Sequence, residues 1–432
     1  MLLDRSKAPD FQVIENISPQ EAVAETLPNG LKLHHLSAGV QPVCYLELMF
    51  EAGTTHAQST IIPSLTFKML AEGTQKRSAG QISEYMDNLG AFWEVRNTAT
   101  YSSLVVYAPT KHLAAVLTLF LELVEQPSFP EESLHTLKQV TKQGILNGLQ
   151  KTAYVASKGI REATLGATHP VALTATPEEV DQIGMAELEA FYQTHIRGQV
   201  FEVFVAGALA PEHLQYLRNC LGALHFGAAK PVTQLPLAQP TTDQQIFLPH
   251  EAKLQSSIRV GRVMFPKNDP NFFKVLITNE LFGGYFGSRL MKNIREDKGY
   301  TYGISSQFSS IPKGESLWII GTDVKAEFAA QTLAEINGEI RKLQEEPVAT
   351  AELELVRNYM RGAFAGSINS PFELMNKYKG IYLFGLDYSF FKSYFEAIAT
   401  ISPDEIQQVM QQYFDPKMLH TVVAGAASPF QD

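Results

Sequence analysis

Apolar positions along this chain switch between two spacings. Leu113, Val116, Leu117, Phe120, Leu121 and Val124 recur at i, i+3, i+4 and i+7, which marks a helix with one core-facing stripe. In "LKLHHLS" (31–37) and "CYLELMFEAG" (44–53) apolar and polar residues partly alternate, predicting a pair of strands. Amphipathic helices are predicted over "IIPSLTFKMLAEG" (61–73) and "SAGQISEYMDNLG" (78–90), the second stopped by Gly90. "AFWEVRNT" (91–98) and "SSLVVYAP" (102–109) read as two more strands, and helices flank Pro127.

The same succession comes a second time. Strands are predicted near "SSIRVGRVMF" (256–265), a helix over "FFKVLITNELFG" (272–283), strands over "TYGISSQFS" (301–309) and "SLWIIGTDV" (316–324), then helices about Pro347. Pro127 and Glu132 match Pro347 and Glu352 at a shift of 220; Ala206-Gly207 matches Ala424-Gly425 at a shift of 218. Two matches at nearly one offset imply a duplicated unit. Between the copies, "GAAKPVTQLPLAQPTTDQQ" (227–245) carries Pro231, Pro236 and Pro240 and little periodicity, so it reads as a linker. The organisation expected is an N-terminal half over 1–228, a linker over 229–245 and a C-terminal half over 246–432. Runs of strands and helices without a βαβ rhythm predict an α+β fold, each half a mostly antiparallel sheet covered by helices.

Composition narrows the function classes. The 432 residues are 45% hydrophobic and 19% charged, with a net charge of −10. No basic stripe is present, which argues against nucleic acid as a partner. The two cysteines, Cys44 and Cys220, stand in apolar surroundings and read as buried free thiols. Charges at Asp4, Arg5 and Lys7 precede any run suited to a signal peptide, and no apolar stretch of about 18 residues suggests a membrane span. A cytoplasmic protein is expected, or a periplasmic one if a leader has been trimmed. His34 and His35 are adjacent on a predicted strand and so point to opposite faces.

The stretch "NIREDKGYTYGISS" (293–306) sets Arg295 seven residues before Tyr302, with Gly299 between them. Tyr300 stands two residues from Tyr302, and in an extended segment both rings would share a face. The larger pattern "LFGGYFGSRLMKNIREDKGYTYGISS" (281–306), together with "MLAEGTQKRSAGQISEYMDNLGA" (69–91) and the duplication, resembles the zinc-dependent pitrilysin/insulinase-type peptidases, in the branch related to mitochondrial processing peptidase. The resemblance spans nearly the whole chain and implies two similar α+β halves. It also exposes a departure. Active members carry His-x-x-Glu-His where this chain has Ser64, Leu65, Thr66, Phe67 and Lys68, and their third ligand falls near Gln143 and Gly144. A catalytic zinc site needs about three N or O donors; Ser64 and Phe67 do not supply them, and a Lys68 ammonium would repel the ion. No metal is therefore expected on this chain.

The resemblance further implies that Arg295 and Tyr302 serve a zinc site held by a homologous partner chain, the tyrosine donating to an oxyanion and the arginine gripping substrate carbonyls or carboxylates. Peptides would add to the edge strand carrying Glu94, Val95, Arg96 and Asn97; Glu94 stands where the family usually has Asn. The function expected is the non-zinc subunit of a two-chain peptidase, with peptides as substrates. The rival expectation is an inactive structural or peptide-binding homologue, as a homodimer or otherwise.

Overall fold

The computed structural model describes residues 17–227 and 234–430. The readings made on Asp4, Arg5, Lys7 and Pro231 lie outside the described residues. The first half runs β1 (Val23–Thr26), β2 (Lys32–Ser37), β3 (Val43–Phe50), α1 (Ile61–Ala71), α2 (Ala79–Asn88), β4 (Phe92–Asn97), β5 (Ser102–Pro109), α3 (Leu113–Glu125), α4 (Glu131–Leu149), α5 (Thr152–Leu165), α6 (Pro177–Gln182), α7 (Met185–His195), β6 (Glu202–Gly207) and α8 (Pro211–Gly222). The second runs β7 (Gln245–Pro249), β8 (Gln255–Met264), α9 (Phe272–Asn279), β9 (Thr301–Ser310), β10 (Ser316–Lys325), α10 (Ala329–Glu345), α11 (Thr350–Gly366), α12 (Pro371–Tyr382), α13 (Ser389–Thr400), α14 (Pro403–Tyr413) and β11 (His420–Gly425). Two π-turns, Glu280–Gly284 and Met291–Asp297, stand between α9 and β9.

The strands form two sheets, β1-β2-β6-β3-β5-β4 and β7-β11-β8-β10-β9. Each is antiparallel except for one pair, β2 with β6 and β7 with β11. The predicted α+β fold of two similar halves is what the chain adopts. One local expectation fails: β2 and β3 are consecutive but not paired, because β6 returns between them.

Helices cover one face of each sheet. In the first half Leu46, Leu48, Phe50, Leu104 and Val106 pack under Leu65 and Phe67 of α1 and Leu117 and Phe120 of α3. In the second, Val260, Trp318 and Ile320 pack under Ile336 and Ile340 of α10, with Met410 of α14. Each sheet also has a second apolar face, and each half covers that face of the other. From the second half, Met375 and Tyr378 of α12 close over Leu36, Tyr45, Val105 and Phe204. From the first half, Ile160 and Ala163 of α5 pack on Val422, Leu248 and Ile319. The two exchanged helices begin at Thr152 and Pro371, a separation of 219 (371 less 152) that falls between the two sequence offsets. Gly159 makes the approach of α5 possible: a Cβ there would lie 2.7 Å from Leu248 Cδ1, closer than side-chain carbons pack.

β2 separates its two histidines as expected. His34 is buried toward α12, stacked on Phe204 at 4.4 Å with Nδ1 2.8 Å from Tyr378 Oη. His35 faces the other way, its Nε2 3.6 Å from Glu25. Cys44 is buried, but Cys220 is only half-buried, because α8 lies on the outside of the first half and turns one side to solvent. No helix of the described residues is long and apolar enough to cross a membrane.

An ion pair sits inside the first exchange. The Glu47 carboxylate, 2% exposed, is held by Lys379 of α12 and by the Tyr45 hydroxyl. Burial by itself pushes this carboxyl up; Lys379, Ser103 and Tyr45 more than offset it and leave the group below the ordinary carboxylate range. A carboxylate depressed in the folded state contributes stability above the unfolded value, about 4.3, and loses it as pH falls through the folded one. Removing Lys379 strands the charge. Lys379→Met should cost about 3–5 kcal/mol of unfolding free energy, with most of it recovered by adding Glu47→Leu. Urea midpoints of the two variants near neutral pH check this; a Lys379→Met midpoint equal to wild type contradicts it.

Candidate functional site

The degenerate metal motif lies on α1. Ser64 and Lys68 are one turn apart and half-buried, while Phe67 is fully buried. Its ring meets Phe50 edge-on at 5.7 Å, so the position that would carry a catalytic glutamate is a wedge between helix and sheet. Thr66 Oγ1 donates to Ile62 O within the helix. Gln143 and Gly144 are exposed on α4. Among the described residues no three His, Cys, Asp or Glu side chains converge on a point that could hold a metal ion, and the side chains at the motif offer a hydroxyl, a phenyl ring and an ammonium. That donor set does not fit zinc.

A cavity lies beside one of the exchanged helices. Helix α5 lies mainly over β8 and β11 and reaches β10 at Ile319, and beside it, toward β9, lies a space of 1090 Å³. It is lined by Ser157, Ile160 and Arg161 of α5, by Gly303, Ser305, Gln307 and Ser309 of β9, and by Ile319 and Asp323 of β10. β9 is the edge of its sheet, so one row of its backbone donors and acceptors is not used by a neighbouring strand. The β9–β10 turn is tied to the first half, where Lys313 Nζ meets Glu51 Oε1 at 2.6 Å.

Tyr302 stands at the entrance to this space, and local chemistry explains its pose. The π-turn Met291–Asp297 is closed by Gly299 at φ +67°, with the Lys298 amide donating to Asn293 O and the Tyr300 amide to Ile294 O. Glycine adopts this left-handed conformation without a Cβ penalty. The chain then enters β9 through a bulge: Thr301 pairs with Val324 and Ile304 with Thr322, so Tyr302 and Gly303 together oppose Asp323. The Thr301 hydroxyl pins the bulge by donating to Asp323 O at 2.8 Å, and Thr322 Oγ1 lies 3.0 Å from it. Bulges re-aim side chains. Here Tyr300 is half-buried and stacks on Phe328 at 4.7 Å, whereas Tyr302 is 101% exposed; both border the cavity. The two rings thus border one space, as expected, but only Tyr300 is packed, and Tyr302 is left free by the irregular start of the strand.

Arg295 takes a different direction. It lies in the π-turn with its guanidinium 4.6 Å from the centroid of Phe286, itself an exposed ring, a cation–π arrangement. It is not among the residues lining the cavity, and among the described residues it meets no carboxylate. Of the predicted peptide strand, β4 is an edge strand. Glu94 and Arg96 neutralise each other there, Arg96 Nε donating to Glu94 Oε1 at 2.8 Å and Nη2 to Tyr107 Oη at 3.0 Å. Val95 packs on the first core and Asn97 Oδ1 accepts from Ser102. The cavity lies instead along β9, and sequence reasoning missed both the bulge and the wall given by α5. Gly303 beside Tyr302 was the one available signal of the bulge.

Comparison with known proteins agrees with this architecture. Residues 182–360 match the family described as "Peptidase M16 inactive domain". A Bacillus subtilis relative, "Uncharacterized zinc protease YmxG", is 21% identical and aligned over 84% of this chain and 87% of its own. The Helicobacter pylori "Non-peptidase homolog YmxG" is 20% identical over 86% of each. A solved structure of a "peptidase M16 inactive domain" from Pseudomonas fluorescens superposes with a TM-score of 0.84 at 22% identity, covering 96% of this chain and all of the other. Over residues 182–360 the chain is thus similar to the M16 inactive domain, and it shares the two-halved fold of the solved M16-like structure.

Phe67 gives a direct check on the metal-motif position. As a filled core site, Phe67→Ala should lower stability by about 3–5 kcal/mol, read from denaturant unfolding. A change within a few tenths of a kcal/mol would mean that the position borders open space instead.

Proposed function

We propose that this chain is the non-zinc subunit of a two-chain peptidase of the insulinase type, lending Tyr302 to a reaction centre on a homologous zinc-bearing partner. The observation that carries this reading is the pose of Tyr302: a phenol fully exposed at the mouth of a peptide-sized cavity, set there by a pinned bulge. Tyrosines on strands ordinarily pack at least one ring face, and this one has none packed. Its hydroxyl is available to donate a hydrogen bond to a carbonyl oxygen that gains charge in the transition state. Arg295, stacked on an exposed ring rather than paired with a carboxylate, is a second donor that a substrate carbonyl or carboxylate could engage. The Ser64, Phe67 and Lys68 set explains why the metal must come from elsewhere. The two sheets have four edge strands, β1, β4, β7 and β9, to which an extended peptide could add; the cavity and Tyr302 favour β9.

Kinetics of the reconstituted pair test the proposal. This chain alone should not cleave a quenched peptide, and mixing with a zinc-bearing homologue should produce cleavage. Tyr302→Phe in the pair should lower kcat by roughly ten- to a thousand-fold, as for loss of one oxyanion donor, and leave the thermal midpoint of this chain unchanged because the ring packs on nothing. Cleavage by the isolated chain, or an unaltered kcat in the variant pair, contradicts it.

A further inference from the structure

The wall of the cavity carries charge that the peptidase reading leaves unused. Arg161, Arg259 and Lys325 border it, against one carboxylate, Asp323. This cationic excess is local, since the chain as a whole has a net charge of −10. Lys325 is exposed at the end of β10. Arg259 is committed to the fold: Nη1 is 3.3 Å from Asp323 Oδ1, Nε donates to Ser157 Oγ at 3.0 Å, and Nη1 also reaches the carbonyls of Ile258 and Thr322.

Arg161 is different. It is half-buried on α5, and its hydrogen bond among the described residues is one contact of 3.4 Å from Nη2 to Thr174 Oγ1. No carboxylate lies within 4.0 Å of it among the described residues; the neighbouring Glu162 is engaged by Lys158 at 3.7 Å. A guanidinium presents five donors in a fixed fork, and most of this fork is unused. Burial makes its charged form less favourable, offset only in part by Tyr154 and Glu162. A partly desolvated cation facing a cavity gains most from an anion that enters with a ligand. Across the space, β9 offers hydroxyls and an amide side chain, Ser305, Gln307 and Ser309, and a free strand edge.

We propose that Arg161 is the specificity-determining residue of this cavity and that its ligand is an extended acidic peptide lying along β9, one carboxylate of which the Arg161 fork binds. The proposal rests on the reading that the cavity takes peptides, and it adds the sign of the charge they carry. Charge complementarity selects the acidic peptide over a basic one, which would meet Arg161 and Lys325 with Asp323 already engaged by Arg259.

Fluorescence anisotropy on the full chain, with labelled peptides of about ten residues, separates the possibilities. The series holds Glu, Gln or Lys at a central position, each with a free or an amidated C-terminus, so that side-chain and terminal carboxylates are told apart. One acidic form should bind about tenfold more tightly than its neutral counterpart, and the Lys peptides should be weakest. Arg161→Gln should erase the preference while leaving the neutral peptide's Kd within about twofold, and Arg161→Lys should keep part of it. Should Arg161→Gln fail to fold, salt decides on the unaltered chain: the preference should shrink steadily between about 0.05 and 0.5 M. Peptides that bind with no preference for the acid, or a variant that weakens Glu and Gln peptides equally, would overturn the role of Arg161 while leaving peptide binding in place. Failure of every peptide to bind would overturn the peptide reading and this assignment with it.

Discussion

A sheet with apolar residues on both faces must be covered twice, and each half of this chain has helices for only one side of its own sheet. The second cover is exchanged: α12 closes the first sheet and α5 closes the second. The burial is apolar at both contacts, and in the first it encloses the Glu47–Lys379 pair. A buried pair of this kind adds little net stability against an apolar substitute but makes a wrong docking costly. The two halves are therefore not separable units joined by a linker; each lacks part of its own core without the other.

The cavity is a consequence of the same exchange. A single helix cannot span a five-stranded sheet, and α5 lies over β8 and β11. The strip beside it, bordered by β9 and part of β10, becomes a lined space instead of a packed core. The bulge at Tyr302 and Gly303 then turns one phenol out of the regular alternation to its mouth. In the first half, Phe67 of α1 is buried against Phe50, so that helix contributes a core side chain where the sequence resemblance places a metal motif.

Much of this was legible in the residues and some was not. The duplication appeared in Pro127 with Pro347 and in the repeated Ala-Gly pairs, and β2–β5, α1–α4, β8–β10, α9 and the helices about Pro347 followed from their residue patterns. The loss of metal donors was visible as residue identity at 64, 67 and 68; that Phe67 is wedged into the core was not. Helix α5 escaped because its packing face is made of small residues, Ala156, Gly159 and Ala163 with Ile160, and periodicity shows that a face is apolar without saying whose sheet it covers. β2 and β3 were read as a pair because they are adjacent in sequence, whereas the strand between them, β6, arrives more than 150 residues later (202 less 50). Tyr302 was picked out by spacing, but its pose depends on a register shift that two strands make together, and no single segment encodes that.

The central claim is that the strip left open beside α5 is where a peptide lies, along β9. Amide hydrogen exchange with and without a saturating extended peptide tests it most directly. The account predicts slowed exchange at the edge-facing amides of β9 between residues 301 and 310. Protection confined to β4, with β9 exchanging as in the free chain, would contradict it.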